Sequence, residues 1–238
     1  MTMMDEDNAK DLLEQYGIRR PPHFVIRGDR TGALDIESLS EAGVRYPVVA
    51  KVLGDDIAHK TELGAVRVGI RTPEELMEVL RDFVRGFPRM DVLVEEYVPH
   101  GPEFILGLAE DPSFGPVVVF GAGGTLTEIY GDVAFRRLPI TEEGARELVS
   151  ATRIGKVLTG YRGMRLREEA VLRAIVAISK LAEERHGDIS ELEVNPLICV
   201  GDDVVALDAK VVRRAPEQVG DAVPVPTKGP LPAGAPGP

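Results

Sequence analysis

"DVLVEEYVPHGPEFILGLAEDPSFGPVVVFGAGG", residues 91–124, carries three strand-like runs in succession with no helical stretch between them. Residues 91–98 and 103–110 are apolar runs split by the turn "PHGP", and 116–120 is a β-branched run that enters the glycine-rich "GAGGT". Strands that follow one another directly point to a mixed α+β fold rather than a doubly wound parallel sheet. The rest of the chain agrees. Upstream, "YPVVAKVL" (46–53) and "AVRVGI" (65–70) are two more strands, joined by the polar loop "GDDIAHKTELG". Downstream, "DVAFRRLPI" leads to Thr141, which can cap a helix over about 142–151.

Helical signals flank these strands. Residues 5–16 place Leu12, Leu13 and Tyr16 on an apolar side and stop at Gly17. "TPEELMEVLRDFVRGF" opens with Thr72 as N-cap, Pro73 at the first helical position and Glu75 completing a capping box. Its apolar face is Leu76, Val79, Leu80 and Phe83. Over about 168–186, Val171, Leu172, Ile175, Ile178 and Leu181 recur every three or four residues. "ISELEVNPLICV" (189–200) and "VVALDAKVV" (204–212) read as a hairpin across an acidic turn. From Ala215 to Pro238, 11 of 24 residues are Pro or Gly, which predicts a disordered tail.

Composition bounds the function. With 28 basic and 39 acidic residues among 238, the net charge is −11, a poor match for nucleic acid or an anionic membrane. The amino terminus lacks the apolar core of a signal peptide. The longest uncharged stretch, 112–127, holds two Pro and four Gly and is too short and broken to span a bilayer. The single cysteine, Cys199, cannot close an intramolecular disulfide, which leans toward a cytoplasmic protein.

Several groups have the chemistry of an anion or metal site, although each one alone is compatible with a solvated strand or turn. Lys51 sits inside an apolar strand, where an unpartnered ammonium is costly. Glu95 and Glu96 end one strand and Glu103 begins the next, a natural place to accept hydrogen bonds from a ribose or an adenine amino group. Gly121, Gly123 and Gly124 let backbone amides approach an oxyanion, with Arg136 and Arg137 on the following strand to complete a positive site. Glu193 and Asn195 share one face of a strand, and the hairpin can bring Asp208 beside them as a set of hard oxygen ligands suited to Mg²⁺. His59 lies in the long polar loop next to Lys60, whereas His23, His100 and His186 read as ordinary turn or helix-end residues.

Taken in order, these elements resemble the ATP-grasp fold, and most closely the β subunit of the ADP-forming acetyl-CoA synthetases, or NDP-forming acyl-CoA synthetases, which are relatives of succinyl-CoA synthetase. The stretches that carry the resemblance are "AKDLLEQYGI", "YPVVAKVLGDDIAHKTELGAV", residues 92–140 and "ELEVNPLICVGDDVVALDAKV". The resemblance implies an α+β ATP-grasp fold of two lobes enclosing a nucleotide site. Residues 1–22 would form a helical arm packed on the second lobe, 23–98 the first lobe, 99–214 the second lobe with the metal site, and 215–238 a flexible tail. It implies ATP/ADP and Mg²⁺ as cofactors. Lys51 would meet nucleotide phosphates, Glu95 and Glu103 would be nucleotide-binding acids with Val98 in the adenine pocket, and Asn195 and Asp208 would hold the metal alongside Glu193. Glu96, Arg136 and the phosphate-loop glycines 121, 123 and 124 would complete the nucleotide site. His59 would relay phosphoryl to a separate CoA-binding α subunit in an α₂β₂ heterotetramer, which would supply the acyl-CoA site.

One departure is visible: the family's Gly-Gly pair after the histidine loop is Gly64-Ala65 here, where a methyl at a phosphate-facing turn would tighten or reroute the loop. Two other readings fit the same residues. A stand-alone ATP-grasp carboxylate ligase would not need the relay histidine, and a nucleotide-binding regulatory module would bind without turnover.

Overall fold

The computed structural model describes residues 1–28, 42–54, 63–124, 131–161, 166–185 and 187–214. Among them, no helix is long and apolar enough to cross a membrane. His59 and Lys60, together with residues 215–238, lie outside the described residues.

Two antiparallel sheets organise the chain. In the smaller, β2 (His23–Ile26), β3 (Val48–Val52), β4 (Val66–Ile70) and β5 (Val92–Glu96) lie in the order β2-β5-β3-β4. Helix α2 (Pro73–Gly86) covers one face. Its start is built from the expected residues: the Thr72 hydroxyl accepts from the Glu75 N–H at 3.2 Å, and Pro73 opens the first turn. The Glu75 carboxylate reaches one residue further back than a capping box requires and accepts from the Arg71 N–H at 2.7 Å. Leu76, Leu80 and Phe83 then bury against Val48, Ala50, Val52, Val92 and Val94.

Among the described residues, seven strands make the larger sheet. β1 (Thr2–Met3), β11 (Ala209–Arg213), β9 (Ile189–Val200), β6 (Phe104–Asp111), β7 (Gly115–Ala122) and β8 (Val133–Arg137) lie in that order, and β10 (Asp203–Ala206) also pairs with β9. One face is packed by α1 (Glu6–Glu14), α3 (Glu142–Ser150), the short α4 (Gly155–Leu158) and α5 (Glu168–Glu184). Val171, Leu172, Ile175, Ile178 and Leu181 of α5 are all fully or almost fully buried. Each contributes roughly 1.5–3 kcal/mol of transfer free energy.

The amino-terminal segment joins the larger sheet at two levels. β1 pairs with β11, and Ala9, Leu12 and Leu13 on α1 belong to the larger core. The opposite side of α1, carrying Glu6 and Lys10, is also buried, against the smaller sheet.

Two local expectations change. Residues 204–212 are two strands, not one. Ala206 pairs with Leu197 and Ala209 with Val194, so Leu207-Asp208 stands opposite Asn195-Pro196 where the ladder breaks. Proline has no N–H to give, and the chain closes the gap with Leu207 N–H to the Pro196 carbonyl at 2.9 Å and Asn195 N–H to the Asp208 carbonyl at 3.2 Å. Ala65 does not face a phosphate turn. It is fully buried in the smaller core, and its carbonyl accepts from the Val52 N–H at 2.9 Å. Gly64 takes the turn's left-handed backbone, with φ +70°.

Candidate active site

Strand alternation decides which side chains leave the smaller core. Register aligns His23 with Glu95, Glu95 with Val49, and Lys51 with Leu93, so Lys51 and Glu95 lie on the face turned away from α2. That face meets α1. Glu95 is 2% exposed and Lys51 8%. The Lys51 ammonium donates to Glu6 Oε1 at 2.6 Å and to the Leu207 carbonyl, and lies 3.0 Å from Glu95 Oε2. Lys10, one turn beyond Glu6, donates to both Glu95 oxygens at 2.8 and 2.7 Å and to the same Leu207 carbonyl at 2.7 Å. Its distance to Glu6 Oε1 is 2.8 Å.

Two carboxylates and two ammoniums thus neutralise one another out of water, the arrangement that makes buried charge tolerable. Burial pushes the Lys51 pKa down, but Glu6, Glu95 and Asp208 outweigh it and hold the ammonium well above its ordinary range. For Glu95, burial raises the carboxyl pKa, and Lys10 and Lys51 bring it below the ordinary value. Arg20 adds a third cation 3.8 Å from Glu95, held by Asp7 and Asp11 at 2.7 Å each.

The second half of the site belongs to the larger sheet. Lys210, Glu193, Gly107, Val119 and Phe135 align across β11, β9, β6, β7 and β8, marking the face opposite the helices. Asn195 lies two residues beyond Glu193 on that face. Its Oδ1 accepts from the Gly124 N–H at 2.7 Å and its Nδ2 donates to Glu193 Oε1 at 3.3 Å. Asp208 Oδ1 accepts from the Ala209 N–H at 2.8 Å.

Gly123 and Gly124 are required by space. A Cβ on Gly123 would enter the backbone of Phe104, and one on Gly124, where φ is +70°, would run into the Glu103 carboxylate. The Gly123 N–H also donates to the Glu103 carbonyl at 2.8 Å. His100 bridges Glu103 Oε1 at 2.9 Å and the Val98 carbonyl at 2.8 Å. Lys51, Glu95, Val98, Glu103, Gly123, Gly124, Glu193, Asn195 and Asp208 are therefore linked across the two sheets, and Gly121 lies on the face of β7 opposite the helices.

Two predicted residues do not join this group. Arg136 aligns with Val118, Leu108 and Leu192, the buried row that faces the helices, and its guanidinium pairs with Glu147 on α3. Arg137, its neighbour, is on the face of Glu193 instead. Glu96 turns away from Glu95 and pairs with Arg45 at 3.1 Å.

Glu6, Lys10 and His100 escaped the sequence reading. The only signal for the first two is their spacing of four on a helix whose polar side reads as solvated. The donor set Glu193, Asn195 and Asp208 is oxygen-only and fits a hard divalent cation. Among the described residues, Asp7, Asp11 and His23 also cluster as possible metal ligands, but the Arg20 guanidinium already occupies both acids.

Residues 1–212 match the ATP-grasp domain family. Over 216 residues the chain is 35% identical to the β subunit of the ADP-forming acetate–CoA ligase I of Pyrococcus furiosus, spanning 87% of this chain and 90% of that one. The chain belongs to the ATP-grasp family, as a β subunit of the ADP-forming acetate–CoA ligase type. Such a subunit is one part of a multi-subunit enzyme.

The ATP-grasp architecture is shared with an acetyl-coenzyme A synthetase of Ca. Korarchaeum cryptofilum. Its structure in complex with coenzyme A, Ca-AMPCP and HgCl⁺ superposes with a TM-score of 0.78 at 30% identity, covering 90% of this chain and 94% of that chain. A second structure holds coenzyme A and Mg-AMPPCP, with a phosphohistidine segment pointing towards the nucleotide binding site. Its TM-score is 0.75 at 31% identity, with 90% and 93% coverage.

Proposed function

We propose that this β subunit binds ADP or ATP with Mg²⁺ between its two sheets and, with a separate CoA-binding α subunit, interconverts acyl-CoA, ADP and phosphate with acid, CoA and ATP. The observation that carries this reading is the meeting of Lys51 and Glu95 from the smaller sheet with Asn195 and Asp208 from the larger one. Phosphoryl transfer asks little covalent chemistry of a protein and much positioning and charge stabilisation. In this reading the Lys51 ammonium exchanges a carboxylate partner for a phosphate oxygen when nucleotide binds, while the Gly123 and Gly124 amides brace Glu103 and Asn195. Glu103, which His100 holds, would accept from ribose hydroxyls and Val98 would line the base pocket, a reading supported by the bonds that fix both positions to His100. Glu193, Asn195 and Asp208 would hold Mg²⁺, which when bound neutralises phosphate charge.

His59 is the carrier in this reading. Its loop leaves β3 after Val52, one residue beyond Lys51, and so begins at the end of the strand that carries the proposed phosphate-binding lysine. A neutral imidazole nitrogen is nucleophilic near pH 7 and forms a phosphoramidate. In the ATP-forming direction the N–P bond breaks as a β-phosphate oxygen of ADP bonds to phosphorus, and the imidazole leaves with the electron pair. Covalent carriage keeps the phosphoryl group from hydrolysis between separated sites. Residues 23–98 and 99–214 serve as the two lobes, with 1–22 as an arm on the second. The assembly is α₂β₂ and works in the cytoplasm.

The test is reconstitution. Acetyl-CoA, ADP, Mg²⁺ and phosphate should yield ATP only when this chain and a CoA-binding α subunit are both present. ATP-dependent ligation by this chain alone would contradict the division of labour. His59→Ala should retain ADP–Mg²⁺ binding and lose most turnover; near-normal turnover would remove the relay.

A further inference from the structure

Glu6 and Lys10 on α1 have no part in the chemistry above, yet among the described residues they are two of the most deeply buried charges, at 2% and 0% exposure. A well-packed apolar set would serve stability as well or better than buried ion pairs. Their place in the structure supplies a different reason. The Lys10 ammonium touches all three parts of the site: Glu95 on the smaller sheet, the Leu207 carbonyl beside Asp208 on the larger sheet, and Glu6 on its own helix. From Leu207 the path continues in short steps. Asp208 follows in the chain, its carbonyl accepts from Asn195, and Asn195 accepts from Gly124. Glu6 in turn holds Lys51 at 2.6 Å.

We propose that Glu6 and Lys10 are positioning residues of the nucleotide–metal site. Glu6 aims the Lys51 ammonium, and Lys10 clamps Glu95 to the Leu207–Asp208 corner. Helix α1 thereby sets the distance between the phosphate-binding half and the metal-binding half. The helix can do this because its apolar side is anchored in the larger core through Ala9, Leu12 and Leu13. The charged side therefore meets the smaller sheet from a fixed platform. The inference rests on reading Lys51, Glu95 and Asp208 as nucleotide and metal residues.

Its test is calorimetric titration of the intact chain with ADP at several Mg²⁺ concentrations, paired with thermal denaturation. Two variants are compared with wild type. Glu6→Gln keeps size and an accepting oxygen while removing the charge. Glu6→Gln/Lys10→Met removes one charge of each sign, so the buried cluster stays balanced. Both should bind ADP–Mg²⁺ about 10- to 100-fold more weakly, the usual effect of removing a partner that orients ligands, and need more Mg²⁺ for half-saturation. Exposed Glu14, on the last turn of the same helix, serves as control: Glu14→Gln should bind as wild type. A folded Glu6→Gln or double variant with reduced stability but wild-type affinity and Mg²⁺ requirement would assign the pair a structural role and overturn the inference. Absence of ADP–Mg²⁺ binding by wild type would instead overturn the reading of the site on which it depends. If Glu6→Gln fails to fold, the charge-balanced double variant decides between the two outcomes.

Discussion

The two halves of the site are built on opposite principles. The half on the smaller sheet is a closed set of full charges: Glu6, Lys10, Lys51 and Glu95 are buried and already satisfied by one another. The half on the larger sheet is only partly buried, and backbone amides position it: Gly124 on Asn195, Ala209 on Asp208, and Gly123 on the Glu103 carbonyl. A closed ionic set tolerates no loss of a partner, because what remains is an unpaired charge in a dry place. A half held by backbone geometry tolerates charge changes better but has no room for an added side-chain atom. In the proposed reading the first would fix where a phosphate binds, and the second would offer oxygen lone pairs to a cation.

That contrast can be broken at either side. The largest effect is expected for Glu95→Leu, which strands Lys10 and Lys51 without their shared carboxylate. It should cost about 3–5 kcal/mol in chemical denaturation, and a cost near zero would mean the cluster is not closed. Gly124→Ala comes next. It forces a left-handed backbone on alanine, for about 1–3 kcal/mol, and displaces Glu103. It should weaken nucleotide binding more than its stability loss explains, checked by titration beside denaturation. The smallest effect belongs to Arg136→Ala. Its pair with Glu147 is exposed, so stability should fall by no more than about 1 kcal/mol and ADP affinity should not change. A large loss of affinity there would return Arg136 to the nucleotide site.

The sequence carried much of this architecture because its signals were local. Thr72, Pro73 and Glu75 announce α2, the period of Val171 to Leu181 announces α5, and the β-branched runs announce the strands. The adjacency of Lys51, Glu95 and the Asn195/Asp208 hairpin was also readable once the ATP-grasp order was noticed. What escaped depends on register and on long-range packing. Whether Arg136 or Arg137 faces the cleft is a matter of one residue in strand phase, and the pairing of Arg136 with Val118 turns it toward α3. The unbroken look of "VVALDAKVV" hides the interruption opposite Asn195-Pro196, because a missing ladder bond is a property of the partner strand. Glu6 and Lys10 resembled a solvated helix face, and only a contact across 85 residues buries Lys10 on Glu95. The relay role of His59 was expected from the family resemblance, and the residue lies outside the described residues.

The central claim is that this chain binds a nucleoside diphosphate with Mg²⁺ between its sheets. Titration of the purified chain with ADP, with and without Mg²⁺, in wild type and in Asp208→Ala, tests it most directly. Saturable 1:1 binding is expected, strengthened by Mg²⁺ in wild type and no longer strengthened in the variant. ADP binding that is absent, or that is indifferent to both Mg²⁺ and Asp208, would contradict it.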